Sequence, residues 1–297
     1  MKISKKILTM AVLAVIFALG LSGSSTVSAA TSPTLSALTS YSVLGGAAVT
    51  CTGATTTTGA VGVSPGTSIT GFPSPCTAGG GTQSNNASAI AAQAENLATF
   101  STLDQTCDQS FGAVDLTTTF PSGVGPGVYC STSSFSLSGN LNLTGSGVWI
   151  FKTVSTLITS PGSSVTGGDA CNVWWRIGSS ATLNTTTSFI GNILALNGVT
   201  ALQTGATLNG RVLAQAAGTV TLDANTISGP TCATTTPTTT PTTTPGSTSS
   251  TTTTTTPGLP NTGIAPGQKG NTPWSIIIPI LAAVTLFGCI ARKNSSV

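Results

Sequence analysis

Thr207-Leu208-Asn209-Gly210 is followed nineteen residues on by Thr226-Ile227-Ser228-Gly229 and preceded nineteen residues before by Ser188-Phe189-Ile190-Gly191. Ser164-Val165-Thr166-Gly167 closes a fourth unit of the same kind. The units Trp149 to Gly167, Val173 to Gly191, Asn192 to Gly210 and Arg211 to Gly229 are each nineteen residues long, and the only insertion is Gly168 to Asn172. A fixed period of this length, β-branched and closed by glycine, is the signature of a β-solenoid. Helical periodicity is absent here, and the glycines and threonine runs oppose a helix.

Alternation assigns the faces of each coil. The third residue of each unit is Phe151, Trp175, Leu194 and Leu213, which reads as an inward stack. Its neighbours Ile150, Trp174, Ile193 and Val212 are then expected to point outward. A wall apolar on both sides has to be covered by something. Val165, Phe189, Leu208 and Ile227 form a second inward stack, flanked by an outward row of Ser164, Ser188, Thr207 and Thr226. Taken alone, such a row is an ordinary solvated sheet face.

Composition narrows the function. Charged residues make up 5% of the 297-residue chain, against roughly 25% in average proteins. There is no histidine, so Ser-His-Asp and Cys-His catalysis is excluded. Glycosidase chemistry needs paired carboxylates. The acids here are scattered: Glu95 and Asp104 near a helical stretch, Asp169 in the insertion, Asp223 in the last coil. Without histidine or a CxxC spacing a metal site is not expected, and neither is a cofactor or an enzyme activity. Between Thr31 and Gly258 three basic side chains (Lys152, Arg176, Arg211) face six acidic ones (Glu95, Asp104, Asp108, Asp115, Asp169, Asp223). That balance excludes a nucleic-acid surface. A monomer is expected.

The ends carry their own signals. Residues 1–30 read as a secretory signal peptide: Lys2, Lys5 and Lys6, an apolar run from Ile7 to Leu21, then small residues up to Ala29 and Ala30. Residues 31–232 form the solenoid domain. Residues 233–258 are almost only Thr, Pro and Ser, a composition that buries no core and reads as an extended stalk. Residues 259–297 begin with Leu259-Pro260-Asn261-Thr262-Gly263, followed by an apolar segment at 274–291 and then Arg292 and Lys293. Pentapeptide, hydrophobic span and basic tail together resemble the LPxTG sorting signal of Gram-positive surface proteins. That resemblance implies sortase cleavage between Thr262 and Gly263 and attachment of Thr262 to peptidoglycan. A plain transmembrane anchor is the simpler alternative.

Within the domain, Asn85 to Thr106 is rich in alanine and places Ile90, Ala94, Leu97 and Ser101 on one helical face. This helix is expected to cover the outer wall of Ile150, Trp174, Ile193 and Val212. Ser64-Pro65-Gly66-Thr67-Ser68-Ile69-Thr70-Gly71 nearly duplicates Ser160 to Gly167, so a solenoid turn precedes the helix. Six cysteines (Cys51, Cys76, Cys107, Cys130, Cys171, Cys232) fit disulfides in an exported domain. Fifteen pairings are open, and pairing of sequence neighbours is the working expectation.

Tyr41-Ser42-Val43-Leu44-Gly45-Gly46, Val61-Gly62-Val63-Ser64-Pro65-Gly66, Pro126-Gly127-Val128-Tyr129, Ala170-Cys171-Asn172-Val173-Trp174-Trp175, Ile190-Gly191-Asn192-Ile193-Leu194-Ala195 and Gly205-Ala206-Thr207-Leu208-Asn209-Gly210-Arg211 resemble the microbial ice-binding protein family. The resemblance spans about Leu35 to Gly229. It implies a mainly β fold: a discontinuous right-handed β-solenoid of triangular section with one long α-helix alongside. It also implies an ice crystal surface as partner. Thr204-Gly205-Ala206-Thr207 resembles a Thr-Gly-x-Thr motif on the ice face of family members. The expected ice-binding residues are therefore Thr204 and Thr207, with Thr185 and Ser188 before them and Asp223 and Thr226 after, extended by Ser164 and Ser68. Asp223 interrupts the face with a charge. A rival row is Thr156, Thr182, Ala201 and Thr221. The alternative function is a surface adhesin or structural module of the same fold that binds a glycan or a host protein.

Overall fold

The structure is a computed structural model and describes residues 29–232 apart from 216. The signal peptide apart from its last two residues, the stalk, Leu259 to Gly263 and the membrane segment 274–291 lie outside the described residues.

Three all-parallel sheets run side by side; seven coils give a strand to each, and the coils at the two ends give strands to only one or two of them. The nine-stranded sheet runs Thr82–Ser84, Ala60–Val63, Tyr41–Gly45, Val212–Ala214, Asn192–Ala195, Val173–Ile177, Trp149–Thr153, Gly127–Ser131, Gln109–Phe111. The eight-stranded sheet runs Ser68–Thr70, Ala48–Thr52, Thr219–Asp223, Val199–Leu202, Ala181–Leu183, Leu157–Thr159, Phe135–Leu137, Val114–Asp115. The seven-stranded sheet runs Asn140–Leu143, Ser164–Gly167, Ser188–Ile190, Thr207–Asn209, Thr226–Ser228, Thr56–Thr57, Thr77–Ala78.

The solenoid is discontinuous. Its first coils dock on its last one: Val43 lies opposite Val212, Thr50 opposite Thr221 and Thr56 opposite Thr226. The helix Ala87–Thr102 is inserted between these first coils and the rest. Disulfides join Cys51 to Cys76, Cys107 to Cys130 and Cys171 to Cys232, the neighbour pairing expected.

Inside the coils, Tyr129 stacks on Phe151 and Phe151 on Trp175, with ring centroids 5.4 and 4.2 Å apart. The inward stack departs from expectation in its last two units. Trp175 lies opposite Ile193, and Ile193 opposite Val212, so Ile193 and Val212 fill the interior. Leu194 and Leu213 turn outward, to the helix side. The cause is a one-residue slip. Ile177 pairs with Ala195 but Ala181 pairs with Thr200, so the corner between Ala195 and Thr200 holds one residue more. Because side chains alternate with period two, that residue exchanges the faces.

The helix covers this outer wall, but with a different face from the one expected. It buries Ala89, Ala92, Asn96, Thr99 and Phe100, while Ile90 is 52% and Leu97 58% exposed. The small side chains let the helix axis approach the sheet, and Phe100 and Leu103 fill the gap against Leu44, Leu194 and Leu213. Polar groups complete the contact. The Gln93 amide donates to the carbonyls of Ser64 (2.9 Å) and Ala214 (3.0 Å). Arg176 lies 4.0 Å over the Phe100 ring. Asn86 caps the first turn by accepting from the Ala89 amide.

Candidate functional site

The outer surface of the seven-stranded sheet is a ladder of short polar side chains. In register it reads Asn140, Ser164, Ser188, Thr207, Thr226, Thr56, Thr77. Neighbouring strands in a sheet are about 4.8 Å apart, so the row repeats at that interval. Behind it Leu141, Val165, Phe189, Leu208 and Ile227 are buried, which keeps the backbone from shifting. A second row outside them is Asn142 beside Thr166, and Asn209 between Ile190 and Ser228.

At one end of the main row Asn140 accepts from Ser164 (2.9 Å) and Thr166 (3.0 Å). Among the described residues, the hydroxyls of Ser188, Thr207, Thr226, Thr56 and Thr77 hydrogen-bond no other protein group. Each is free to hold a water, while its sheet position limits where that water sits.

Four of the expected residues, Ser164, Ser188, Thr207 and Thr226, thus share one row. Thr185, Thr204 and Asp223 stack along the corner where the eight-stranded and seven-stranded sheets meet. The Thr186 amide donates to the Thr204 carbonyl (3.1 Å), and Asp223 lies opposite Thr52. The Thr204 hydroxyl donates to the Asp223 carboxylate, so the one charge beside the row is held by a member of the corner column. Ser68 does not extend the row. It pairs with Ala48 on the eight-stranded sheet, because the strand Ser68–Thr70 follows the corner after the nine-stranded sheet rather than the next one. Thr56 and Thr77 take the place expected for it.

Sequence reasoning missed a further set. Between each corner residue and each row residue an inward position is buried: Ser163, Thr187, Ala206, Asn225 and Thr55. Asn225 donates to the carbonyls of Gln203 (2.9 Å) and Ala206 (3.1 Å) and accepts from the Asp223 amide (2.7 Å). The Thr187 and Thr159 hydroxyls pair at 2.9 Å. Asn225, Thr187 and Thr55 thus hold the corner backbone, and with it the distance between the two outward columns. Their signal is a polar residue immediately before the row position, at Ser163, Thr187, Asn225 and Thr55, which Thr204-Gly205-Ala206-Thr207 itself lacks.

The rival face is also in register: Thr70, Thr50, Thr221, Ala201, Thr182, Ile158, Ser136. Thr156 is not a member; Ile158 stands opposite Thr182. Ile158 and Val199 leave this face 47% and 45% exposed at those positions, so it is less uniformly hydroxylated.

The ion pairs lie on the helix side. Lys152 pairs with Asp104 at 2.8 Å and Arg176 approaches it at 3.6 Å. The Lys152 hydrogen bond, then the two positive charges, hold the Asp104 carboxyl below its ordinary range against the opposing effect of burial. Asp169 caps its own short turn, accepting from the Cys171 amide at 3.0 Å. Asp115 caps Leu116–Thr119 through the Thr117 amide at 2.8 Å. Among the described residues no cluster of three metal-ligating side chains occurs. The arrangement is a regularly spaced row of hydroxyls bordered by the Asp223 carboxylate.

Residues 43–228 match the ice-binding-like family model. A protein named as an ice-binding protein of Nostoc sp. (strain HG1) is 41% identical over 207 residues, covering 65% of this chain and 73% of that protein. Two crystal structures are similar. One is an ice binding protein from an Antarctic biological consortium (36% identity, TM-score 0.63, 69% of this chain and 94% of that one). The other is an ice-binding protein of the Antarctic ascomycete Antarctomyces psychrotrophicus (35% identity, TM-score 0.62, 68% of this chain and 100% of that one).

Proposed function

The chain belongs to the ice-binding-like family, and on that premise we propose that it adsorbs to ice through the seven-stranded sheet while anchored to a Gram-positive cell wall. The observation that carries the first half is the uncharged ladder from Ser164 through Thr77, in strand register and backed by a rigid apolar stack. The ice-binding residues in this reading are Ser164, Ser188, Thr207, Thr226, Thr56 and Thr77, with Thr185 and Thr204 along the corner. Water held at a fixed repeat on hydroxyls and methyls joins a growing crystal without first being stripped from a charge. Anchoring is supported by the motif Leu259 to Gly263 with the apolar span and basic tail behind it. In this reading sortase and peptidoglycan are the partners of the C-terminus and ice is the partner of the domain.

The test is a pair of double variants of the secreted domain. Thr204→Tyr with Thr207→Tyr is expected to abolish thermal hysteresis and crystal shaping while circular dichroism matches the parent and melting shifts no more than loss of the Thr204 contact to Asp223 accounts for. Activity retained there but lost in Thr182→Tyr with Thr221→Tyr would move the site to the eight-stranded sheet. An inactive parent would leave the adhesin alternative. Thr262→Ala is expected to shift the full chain out of the wall fraction; persistence in the wall would remove the anchoring half.

A further inference from the structure

The five-residue insertion Gly168 to Asn172, the one break in the repeat, has no part in the ice row. Its Cys171 is bonded to Cys232, just before the Thr/Pro-rich residues begin. The same place gathers both ends of the domain. Arg211, 1% exposed, donates to Pro230 at the chain exit (2.9 Å), to Leu38 of the N-terminal segment (3.2 Å) and to Asn192 (3.1 Å). Asn192 in turn donates to the Ala170 carbonyl of the insertion (3.0 Å). Burial lowers the Arg211 pKa, with Glu95 opposing, and the guanidinium is held by carbonyl and amide oxygens. Ser32 donates to the Cys171 carbonyl (3.3 Å) and accepts from the Trp174 indole (2.9 Å).

We infer that the insertion with its disulfide is a mechanical staple, which carries tension from the tether past the last coil into the middle of the solenoid. This rests on the anchored reading above, in which force on ice-held protein enters through residues after Cys232. Two load paths compete. Through the backbone, force reaches Thr226–Ser228, a three-residue strand whose partner on the N-terminal side, Thr56–Thr57, has only two residues. Through the disulfide, force reaches residue 171, next to Val173–Ile177. That strand is paired along its whole length with Trp149–Thr153 and carries the buried Trp174 and Trp175. A strand with five paired residues and two buried indoles is expected to resist better than one with three pairs on one side and two on the other. The protected element matters for function. The last coil is the joint to the N-terminal coils, and peeling it would cut the hydroxyl row between Thr226 and Thr56.

Single-molecule pulling tests the staple without ice or wall, so its outcome is independent of whether either is bound. One handle is attached through an azide-bearing residue replacing Ser188 and the other through the stalk. The parent is expected to show no extension before its main rupture. Cys171→Ser with Cys232→Ser is expected to add an early low-force step on the order of 100 Å, the reach of the freed residues. Cys51→Ser with Cys76→Ser, a control lying off this path, is expected to lower the melting temperature without that step. Unchanged first-rupture force and no early step in the first variant would overturn the inference. Should that variant not fold, moving the stalk handle of the parent to position 169 serves instead. The same rupture force is expected, since load enters at the insertion either way, and a different force would overturn the staple.

Discussion

The nine-stranded and seven-stranded sheets share a backbone plan and differ in what their outer surfaces carry. The first shows Ile150, Trp174, Leu194 and Leu213 outward and is covered by the helix. The second shows Ser188, Thr207, Thr226, Thr56 and Thr77, and no described element covers it. Both have apolar interiors. The outward residue alone decides whether a face becomes core or surface, and the chain puts its ion pairs with the covered face. A solenoid can therefore give stability and recognition to different sides of one repeat without either disturbing the other.

The comparison can be broken most easily at the covered face. Phe100→Ala removes the ring that fills the gap under the helix and carries Arg176. A loss of about 3–5 kcal/mol is expected in denaturant unfolding, whereas Leu97→Asp on the exposed side is expected to stay within about 0.5 kcal/mol. Equal costs would mean that the helix docks by its other face. On the open face, Asp223→Thr replaces a charge by the side chain of its neighbours. Thermal hysteresis is expected to rise, with stability changed by about 1 kcal/mol or less through loss of the Thr204 contact. A fall in hysteresis would make the carboxylate a member of the site instead of an interruption.

The smallest effect is electrostatic. Asp104 titrates below its ordinary range because of Lys152 and Arg176. Burial pushes Asp115 the other way, but the hydrogen bonds of Thr117 and Ser138 outweigh it and its pKa is also lowered. A carboxyl whose folded pKa is depressed stabilises the fold above its unfolded value. That contribution is lost as pH falls from about 4 through the folded value. Melting temperature is thus expected to drop over that interval, and to drop less in Asp104→Asn. An identical slope in the variant would remove Asp104 from the account.

Much of this division was legible in sequence. The nineteen-residue period put Ser164, Ser188, Thr207 and Thr226 in one row, since the closing strand keeps a constant register from Ser188 to Thr226. The inward stack was misread after Trp175 because one extra corner residue is invisible to a count that only matches unit ends. The helix face is not legible from residue size, because large residues ordinarily mark the buried side. At a close helix–sheet contact the small ones, Ala89 and Ala92, are buried and Ile90 and Leu97 are left outside. Ser68 was misplaced because its local motif repeats that of Ser164 while its place in the coil does not.

The pairing of Val43 with Val212 has a consequence for how the domain is made. The first coils emerge from synthesis early, yet the strand they must lie against is among the last to appear. Until then Tyr41–Gly45 keeps an unpaired edge, and edges of that kind invite wrong partners. The middle coils are under no such wait, because each meets its neighbour as soon as it follows. Closure across the whole length of the domain is a contact of high sequence separation, the kind that slows folding most. The domain is thus expected to assemble from its middle outward, with the joining of its two ends as the final and slowest event.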